Sequence, residues 1–258
     1  MQLFGIRTRL IKSGDNLVEV TLEALSEEKL AIEDNDVLVI ASKAVATMQG
    51  RLRKLSSMKT SEKARRLARE YELEPSFVEI VLQESEKIYG GVPKALLALK
   101  NNILTANAGV DRKNTPNGYA ALWPKSPHII AEKIRKEILE KTGKHIGVLI
   151  IDSRVTPLRM GTTGLALGVA GFEPVKDCRT EKDLYGNSIS ITKHALADDL
   201  ASSAHSIMGE SNEQTPVVLI RNAPVKLADK VNPSSVVISP EQCLFAKHIA
   251  QEPVTEFL

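Results

Sequence analysis

Apolar residues fall into two patterns along this chain. Val37-Leu-Val-Ile-Ala-Ser42, Ile146-Gly-Val-Leu-Ile-Ile-Asp152 and Pro216-Val-Val-Leu-Ile-Arg221 are short apolar runs rich in β-branched residues, and they predict buried strands. Ala95 to Lys100 and Ile103 to Ala106 read as a hairpin across Asn101-Asn102. Helical spacing covers Ser61 to Leu73, with Ser61 as N-cap, and Pro75 to Ser85. His128 to Thr142 is a further helix, closed by Gly143. In Lys193 to Met208, Leu196, Leu200, Ala204, Ile207 and Met208 share one face. Strands and helices mix without repeating as strand–helix units, which predicts an α+β (mixed α/β) architecture rather than a doubly wound sheet or a barrel. Arg112 to Lys125, with Pro116, Asn117-Gly118, Trp123 and Pro124, reads as a long ordered loop that is either a subdomain boundary or a lid.

Composition narrows the function classes. With 258 residues, 43% hydrophobic and 26% charged, the chain suits one large domain or two small ones with a sizeable core. Its 34 Lys+Arg against 32 Asp+Glu leave a net charge of +2, which gives no reason to expect nucleic acid or an anionic membrane as partner. The basic stretch Arg51 to Glu72 lacks interleaved aromatics apart from Tyr71 and reads as a solvated helix face. No apolar run approaches a membrane span, and MQLFGIRTRL lacks the apolar stretch of a signal peptide, so a cytoplasmic protein is expected. Cys178 and Cys243 form neither a disulfide framework nor a zinc spacing. The five histidines are scattered; His194 and Asp198 share a helix face at i, i+4.

The chemistry is carried by acids at the ends of apolar runs. Ile103 to Asp111 ends in Asp111, the second strand ends in Asp152-Ser153, and the helix ending at Met208 runs into Gly209-Glu210. Magnesium takes a few carboxylates together with substrate phosphates, and Asp111, Asp152 and Glu210 with the Ser153 hydroxyl suit such a site. Turn and helix capping is the plainer account of any one of these acids, and the two accounts weigh evenly for all three together. Ser42-Lys43 leads from the first strand into a helix, where backbone N–H groups and a Lys hold a phosphate, although a solvated Lys is the plainer account. Arg159-Met-Gly-Thr-Thr-Gly164 reads as a Gly-rich turn in which Gly161 and Gly164 let backbone approach an anion and Arg159 clamps it. Gly168, Gly171 and Tyr185-Gly186-Asn187 read as turn positions.

Taken in order, these elements resemble the coenzyme F-420-0 gamma-glutamyl ligase family over roughly residues 7 to 225. The matching text is Leu10-Ile-Lys-Ser-Gly-Asp15, Asp36-Val-Leu-Val-Ile-Ala-Ser-Lys43, Gly50-Arg51, Asn107-Ala-Gly-Val-Asp111 with Asn114, and Asp152-Ser153. It continues with Arg159-x-Gly161, Gly168-x-Ala170-Gly171, Asp183-Leu-Tyr-Gly186, Ala197-Asp198, Met208-Gly-Glu210 and Pro216 to Arg221. The order of the pieces is specific where no single piece is.

The resemblance implies an enzyme that adds L-glutamate to a deazaflavin coenzyme precursor with GTP and a divalent metal. Magnesium or manganese is expected, as two ions, with potassium as a further candidate. It also implies a ligase-like fold of mixed sheets with packed helices in an intertwined homodimer. The chain 1–258 is then a single ligase unit, whose break, if it has two subdomains, falls near 112–127. By position, Thr8, Arg9, Leu10, Ile11, Ser42, Lys43 and Asn114 lie along the GTP, as do Met208, Gly209, Ser211, Asn212 and Glu213. Asp111, Asp152, Ser153 and Glu210 hold the metals, and Arg159 and Lys43 are the catalytic candidates. The Arg112 to Lys125 loop is placed to keep water from an acyl phosphate. Two positions depart from the family pattern. Thr47 stands where the family typically has a lysine, and Val155-Thr156 follows Arg154 where it has Gly-Arg, so Lys43 or Arg154 is left to supply the charge. The alternatives are the same ligase chemistry on another acceptor or amino acid, and a non-catalytic homologue that binds nucleotide or deazaflavin.

Overall fold

The computed structural model describes residues 1–179 and 181–249, so residue 180 and the end of the expected single unit, 250–258, lie outside the described residues. The chain opens with β1 (Gln2–Ile6), α1 (Leu17–Glu27), β2 (Val37–Ala41), α2 (Ser42–Met48) and β3 (Leu52–Lys54). Next come α3 (Glu62–Glu70), α4 (Pro75–Glu84), β4 (Lys87–Val92), β5 (Ala95–Lys100), β6 (Ile103–Ala106), β7 (Tyr119–Ala121) and α5 (Pro127–Thr142). It ends with β8 (Gly147–Val155), β9 (Thr162–Ala170), β10 (Lys176–Asp177), β11 (Lys193–His194), α6 (Leu196–Met208), β12 (Val217–Arg221) and α7 (Leu244–Ile249). This is an α+β fold, as expected. Met1–Gln49 with Pro124–Val236 makes one compact unit, and Gly50–Trp123 with the described residues from Val237 onward another. Among the described residues, no helix is long and apolar enough to cross a membrane.

The first unit is built on a five-stranded sheet of order β1-β12-β2-β8-β9, in which only β2 and β8 run parallel. The three apolar runs are its central strands. They are continuously apolar because helices cover both faces. Val37, Val39, Leu149, Ile151, Val218 and Ile220 pack with Leu200, Ala201 and Ala204 of α6, while Leu38, Ile40, Val148, Ile150 and Leu219 pack with α1 and α5. At the sheet's margin, buried Asp36 accepts from Arg221 Nε at 3.1 Å and from an Arg221 terminal nitrogen at 3.0 Å, joining the start of β2 to the end of β12.

β9 corrects the reading of residues 159–164 as one Gly-rich turn. The turn ends at Gly161 (φ +94°), and Gly164 and Gly168 lie inside the strand. Ile151 pairs with Ala166 and Ile150 with Gly168, so Leu167 is an extra residue in the ladder, a β-bulge. Each glycine admits a helix. A Cβ on Gly164 would lie 2.5 Å from the Ser202 nitrogen and closer still to the Ala201 carbonyl of α6, and one on Gly168 would lie 2.6 Å from the Pro127 carbonyl of α5. Because the obstacles at Gly164 are backbone atoms that cannot rotate away, Gly164→Ala is expected to cost about 2 kcal/mol, read as a lower thermal midpoint. An unchanged midpoint would mean that α6 shifts without penalty.

Several boundaries differ from the sequence reading. β1, α1, β3, β4, β7, β9, β10, β11 and α7 are additional elements, Ser42 begins α2 rather than ending β2, and β8 runs on to Val155. Lys193 and His194 belong to β11 rather than to α6, so His194 does not share a helix face with Asp198 and instead meets Asp199 at 2.6 Å.

In the second unit, β4, β5 and β6 form an antiparallel sheet under α3 and α4, with Leu67, Phe77, Val78, Ile80, Val81, Leu96 and Ala98 as core. Asn101 and Asn102 both adopt left-handed backbone (φ 51° and 58°), as a two-residue hairpin turn requires. Ser61 caps α3 by accepting from the Ala64 N–H. The expected ordered loop from Arg112 to Lys125 contains a short strand, β7, which pairs with β3. Beneath it, Glu84 joins Lys100 at 2.6 Å and Arg51 at 3.0 Å, and Arg51 Nε donates to the Trp123 carbonyl. Burial opposes the charge on Glu84, but the two cations outweigh it and hold the carboxyl below its usual range.

Candidate functional site

In the first unit, the first segment expected along a nucleotide is fastened to Gln214, the residue directly after the other. Thr8 is buried, and its carbonyl accepts from Gln214 Nε2 at 2.8 Å, across 206 residues of sequence. Arg9 pairs with Asp15 at 2.7 Å, and the same carboxylate takes the Lys12 N–H, which closes the Leu10 to Asp15 loop on itself. Gly14 N–H bonds the Met48 carbonyl and so ties that loop to the end of α2. Ile11 packs against the core, whereas Leu10 is exposed. Ser42, buried, and Lys43, half-buried, open α2 directly after β2.

Past α6 the chain turns sharply. Met208 remains in the core, and Gly209 adopts φ 71°, where a Cβ would collide with the carboxyl group of Glu213. That carboxylate accepts from the Ser211 N–H at 2.8 Å, so 209–213 is a tight loop with Ser211 and Asn212 exposed. Glu210 leans the other way. Its Oε1 accepts from the Thr162 hydroxyl at 2.7 Å and from His205 Nε2 at 2.9 Å.

Asp152 and Ser153 stand on β8 where the buried run gives way to half-buried positions, opposite Leu165 and Gly164. Asp152 Oδ1 accepts from the Ser153 N–H at 2.8 Å. Arg154, the proposed substitute charge, reaches Asp198 of α6 at 3.3 Å, and its buried Nε has no hydrogen-bond partner among the described residues. The other Asp198 oxygen takes the Ala166 N–H at 2.9 Å. Arg159 lies exposed at the tip between β8 and β9, flanked by exposed Leu158 and Met160.

Asp111 and Asn114 belong to the second unit. Asp111 forms an antiparallel bridge with Ala121, and its Oδ1 accepts from the Lys113 N–H at 3.0 Å, while Asn114 takes left-handed backbone. Arg112 lies over the Phe77 ring and pairs with Glu74 at 2.9 Å.

The structure therefore joins the Thr8 and Gln214 segments, and joins Glu210 to the start of β9. Among the described residues, it gathers no three His, Cys, Asp or Glu side chains into a metal-holding group. The sequence reading left Thr162, His205 and Gln214 aside. Single polar residues in strand, helix and loop carry no local signal, and only the tertiary contact marks them.

The chain matches the family model described as F420-0:Gamma-glutamyl ligase over residues 5–222. It is 38% identical to the coenzyme F420:L-glutamate ligase of Archaeoglobus fulgidus, over 82% of this chain and 83% of that protein. It is 37% identical to the protein of that name from Methanothermobacter thermautotrophicus, over 83% of this chain and 86% of the relative. With that of Methanopyrus kandleri the identity is 34%, over 92% of this chain and 94% of the relative.

Proposed function

Because this chain belongs to the F420-0:gamma-glutamyl ligase family, a family of ligase enzymes, we propose that it forms an amide between L-glutamate and coenzyme F420-0. GTP and a divalent metal complete the reaction in this reading. The observation that carries it is the extent of the similarity, which takes in Thr8, Ser42, Asp111, Asn114, Asp152, Ser153 and Glu210 together within one match.

A carboxylate is a poor acyl donor, since its oxygen is a poor leaving group and its charge repels electron-rich nucleophiles. In the proposed sequence an acceptor carboxylate oxygen attacks the γ-phosphorus of GTP, the bond to the bridging oxygen breaks, and GDP leaves. The glutamate amine then attacks the carbonyl carbon of the acyl phosphate, loses a proton, and inorganic phosphate departs. The segments Thr8 to Ile11 and Met208 to Glu213, with Ser42 and Lys43, are the residues we place along the nucleotide. Arg159, exposed on its hairpin tip, is the candidate clamp for the transferring phosphate.

The metal donors in this reading are Asp152, Ser153, Glu210 and Asp111. All are oxygen donors, and one or two carboxylates supplemented by water and substrate phosphates are what magnesium characteristically accepts, so the donor chemistry suits the ion. Magnesium or manganese, as two ions, would neutralise charge on the phosphates, and potassium is a further candidate. The reading also includes a cytoplasmic homodimer. Leu158, Met160, Leu184, Tyr185 and Ile191 are large apolar side chains held in solvent, and a partner subunit would cover them. Sedimentation of Leu158→Ser/Met160→Ser is expected to show monomer where the parent protein is a dimer.

The test is ligation by the purified protein with F420-0, L-glutamate and either GTP or ATP, with and without magnesium or manganese. A product one glutamyl residue heavier, formed with GTP and metal together, supports the reading. If GTP and metal raise the thermal midpoint but no product forms, the acceptor has changed, which is where Thr47 and Val155-Thr156 point. Neither product nor shift overturns the nucleotide-dependent reading.

A further inference from the structure

Glu210 stands just past α6 on a connection whose next residues, Ser211 and Asn212, are exposed. A carboxylate on such a segment keeps one orientation only if other elements hold it. Two do. Thr162 Oγ1 at the first residue of β9 and His205 Nε2 in the last turn of α6 both bond Oε1, at 2.7 and 2.9 Å. A carboxylate only accepts, so Nε2 carries the hydrogen in this pair. Two donors from two elements on one oxygen restrain the place of the carboxylate, and with it that of its second oxygen.

The anchors are themselves held. Thr162 opens the β9 ladder opposite Val155, and its neighbour Thr163 bonds Ser202 of α6 at 2.8 Å. His205, 16% exposed at its side chain, belongs to the helix that Gly164 lets down onto β9. The close backbone approach at Gly164 is therefore what brings a strand hydroxyl and a helix imidazole to the same carboxylate.

We propose that Thr162 and His205 are positioning residues that orient Glu210 toward a divalent cation, a proposal that rests on the reading of Glu210 as a metal donor. They act through the carboxylate and touch neither ion nor substrate. Their loss lowers metal affinity and leaves the chemical step at saturating metal largely intact. Outer-shell partners of this kind are worth about 10–100-fold in metal affinity.

The experiment is a titration of manganese into the full-length protein with GDP, following free manganese by electron paramagnetic resonance, together with the melting midpoint without metal. Thr162→Val removes the hydroxyl at constant shape, and His205→Phe removes the ring donor. Each is expected to weaken manganese binding about tenfold or more with the metal-free midpoint unchanged. Thr162→Ser, which keeps the hydroxyl, is expected to bind as the parent does. Glu210→Gln separates the two ways of failing. If it weakens binding while Thr162→Val and His205→Phe do not, the positioning role is overturned and Glu210 keeps its place. If Glu210→Gln binds manganese normally, the metal reading falls and the proposal with it. Should His205→Phe fail to fold, the Thr162→Val and Thr162→Ser pair decides alone.

Discussion

An Asp152→Asn protein is expected to lose metal-dependent ligation by more than the roughly 10–100-fold that losing an outer-shell partner costs, with its metal-free melting midpoint unchanged. Asp152 is half-buried on β8, and its Oδ1 accepts a backbone hydrogen bond from Ser153 at 2.8 Å. An amide oxygen accepts that bond equally well, so the substitution keeps this contact and removes the charge. A divalent ion that draws on one or two carboxylates and substrate phosphates loses much of its protein anchorage when one carboxylate becomes an amide. Activity against manganese concentration and a metal-free melting curve are the two measurements. A drop in the metal-free midpoint of more than about 4 °C, ~1 kcal/mol or more for a chain of this length, would instead make Asp152 part of the framework.

The largest loss of stability is expected at Asp36→Ala, about 3 kcal/mol by urea or thermal unfolding. Asp36 is 1% exposed, and its two oxygens take the Arg221 fork at 3.1 and 3.0 Å and the Glu33 N–H at 2.8 Å. Truncation leaves a mostly buried guanidinium and a backbone donor short of acceptors, the costly half of the asymmetry between making and breaking such pairs. The loss is not larger because Arg221 keeps Glu33 at 2.8 Å and the Ala31 carbonyl at 2.7 Å. Replacing both partners is a different experiment. Asp36→Ala combined with Arg221→Met should be less destabilised than the sum of the single variants, because an apolar pair leaves no charge behind. A single-variant loss within about 0.5 kcal/mol would show that Glu33 alone satisfies Arg221.

That ion pair also explains part of what was legible. Asp36 and Arg221 both stand in the ordered series that resembles the family, and the structure spends them on joining adjacent strands. Some of the signature is therefore framework, and the pattern alone does not separate it from chemistry. Elements specified by neighbouring residues were readable: the Asn101-Asn102 turn, the Ser61 cap, and Gly143 at φ 70° closing α5. α1 was not, although Asn16 caps it through the Val18 and Glu19 N–H groups, because Val18, Val20 and Thr21 dilute the helical signal. β9 was hidden for a different reason. Its glycines answer to Ala201 and Pro127, far away in sequence, and locally they look like turn residues. The candidate site divides the same way. Acids after strands were visible as candidate donors, but the bonds from Thr162 to Glu210 and from Gln214 to Thr8, 48 and 206 residues apart, exist only in the folded chain.

The surplus residue in β9 has a consequence for how this stretch tolerates changes of length. Leu167 is the residue without a partner of its own between Ala166, opposite Ile151, and Gly168, opposite Ile150. Deleting Leu167 leaves every other residue of the strand on its present face, Ala166 and Val169 toward α6 and Gly168 and Ala170 toward α5, for the loss of one buried leucine. Deleting Leu165 instead draws Leu167 into the ladder opposite Ile151, putting a leucine where α6 has room for Ala166. A one-residue gap between relatives within β9 thus has a preferred place, and hydrogen-bond register sets it where similarity of letters does not.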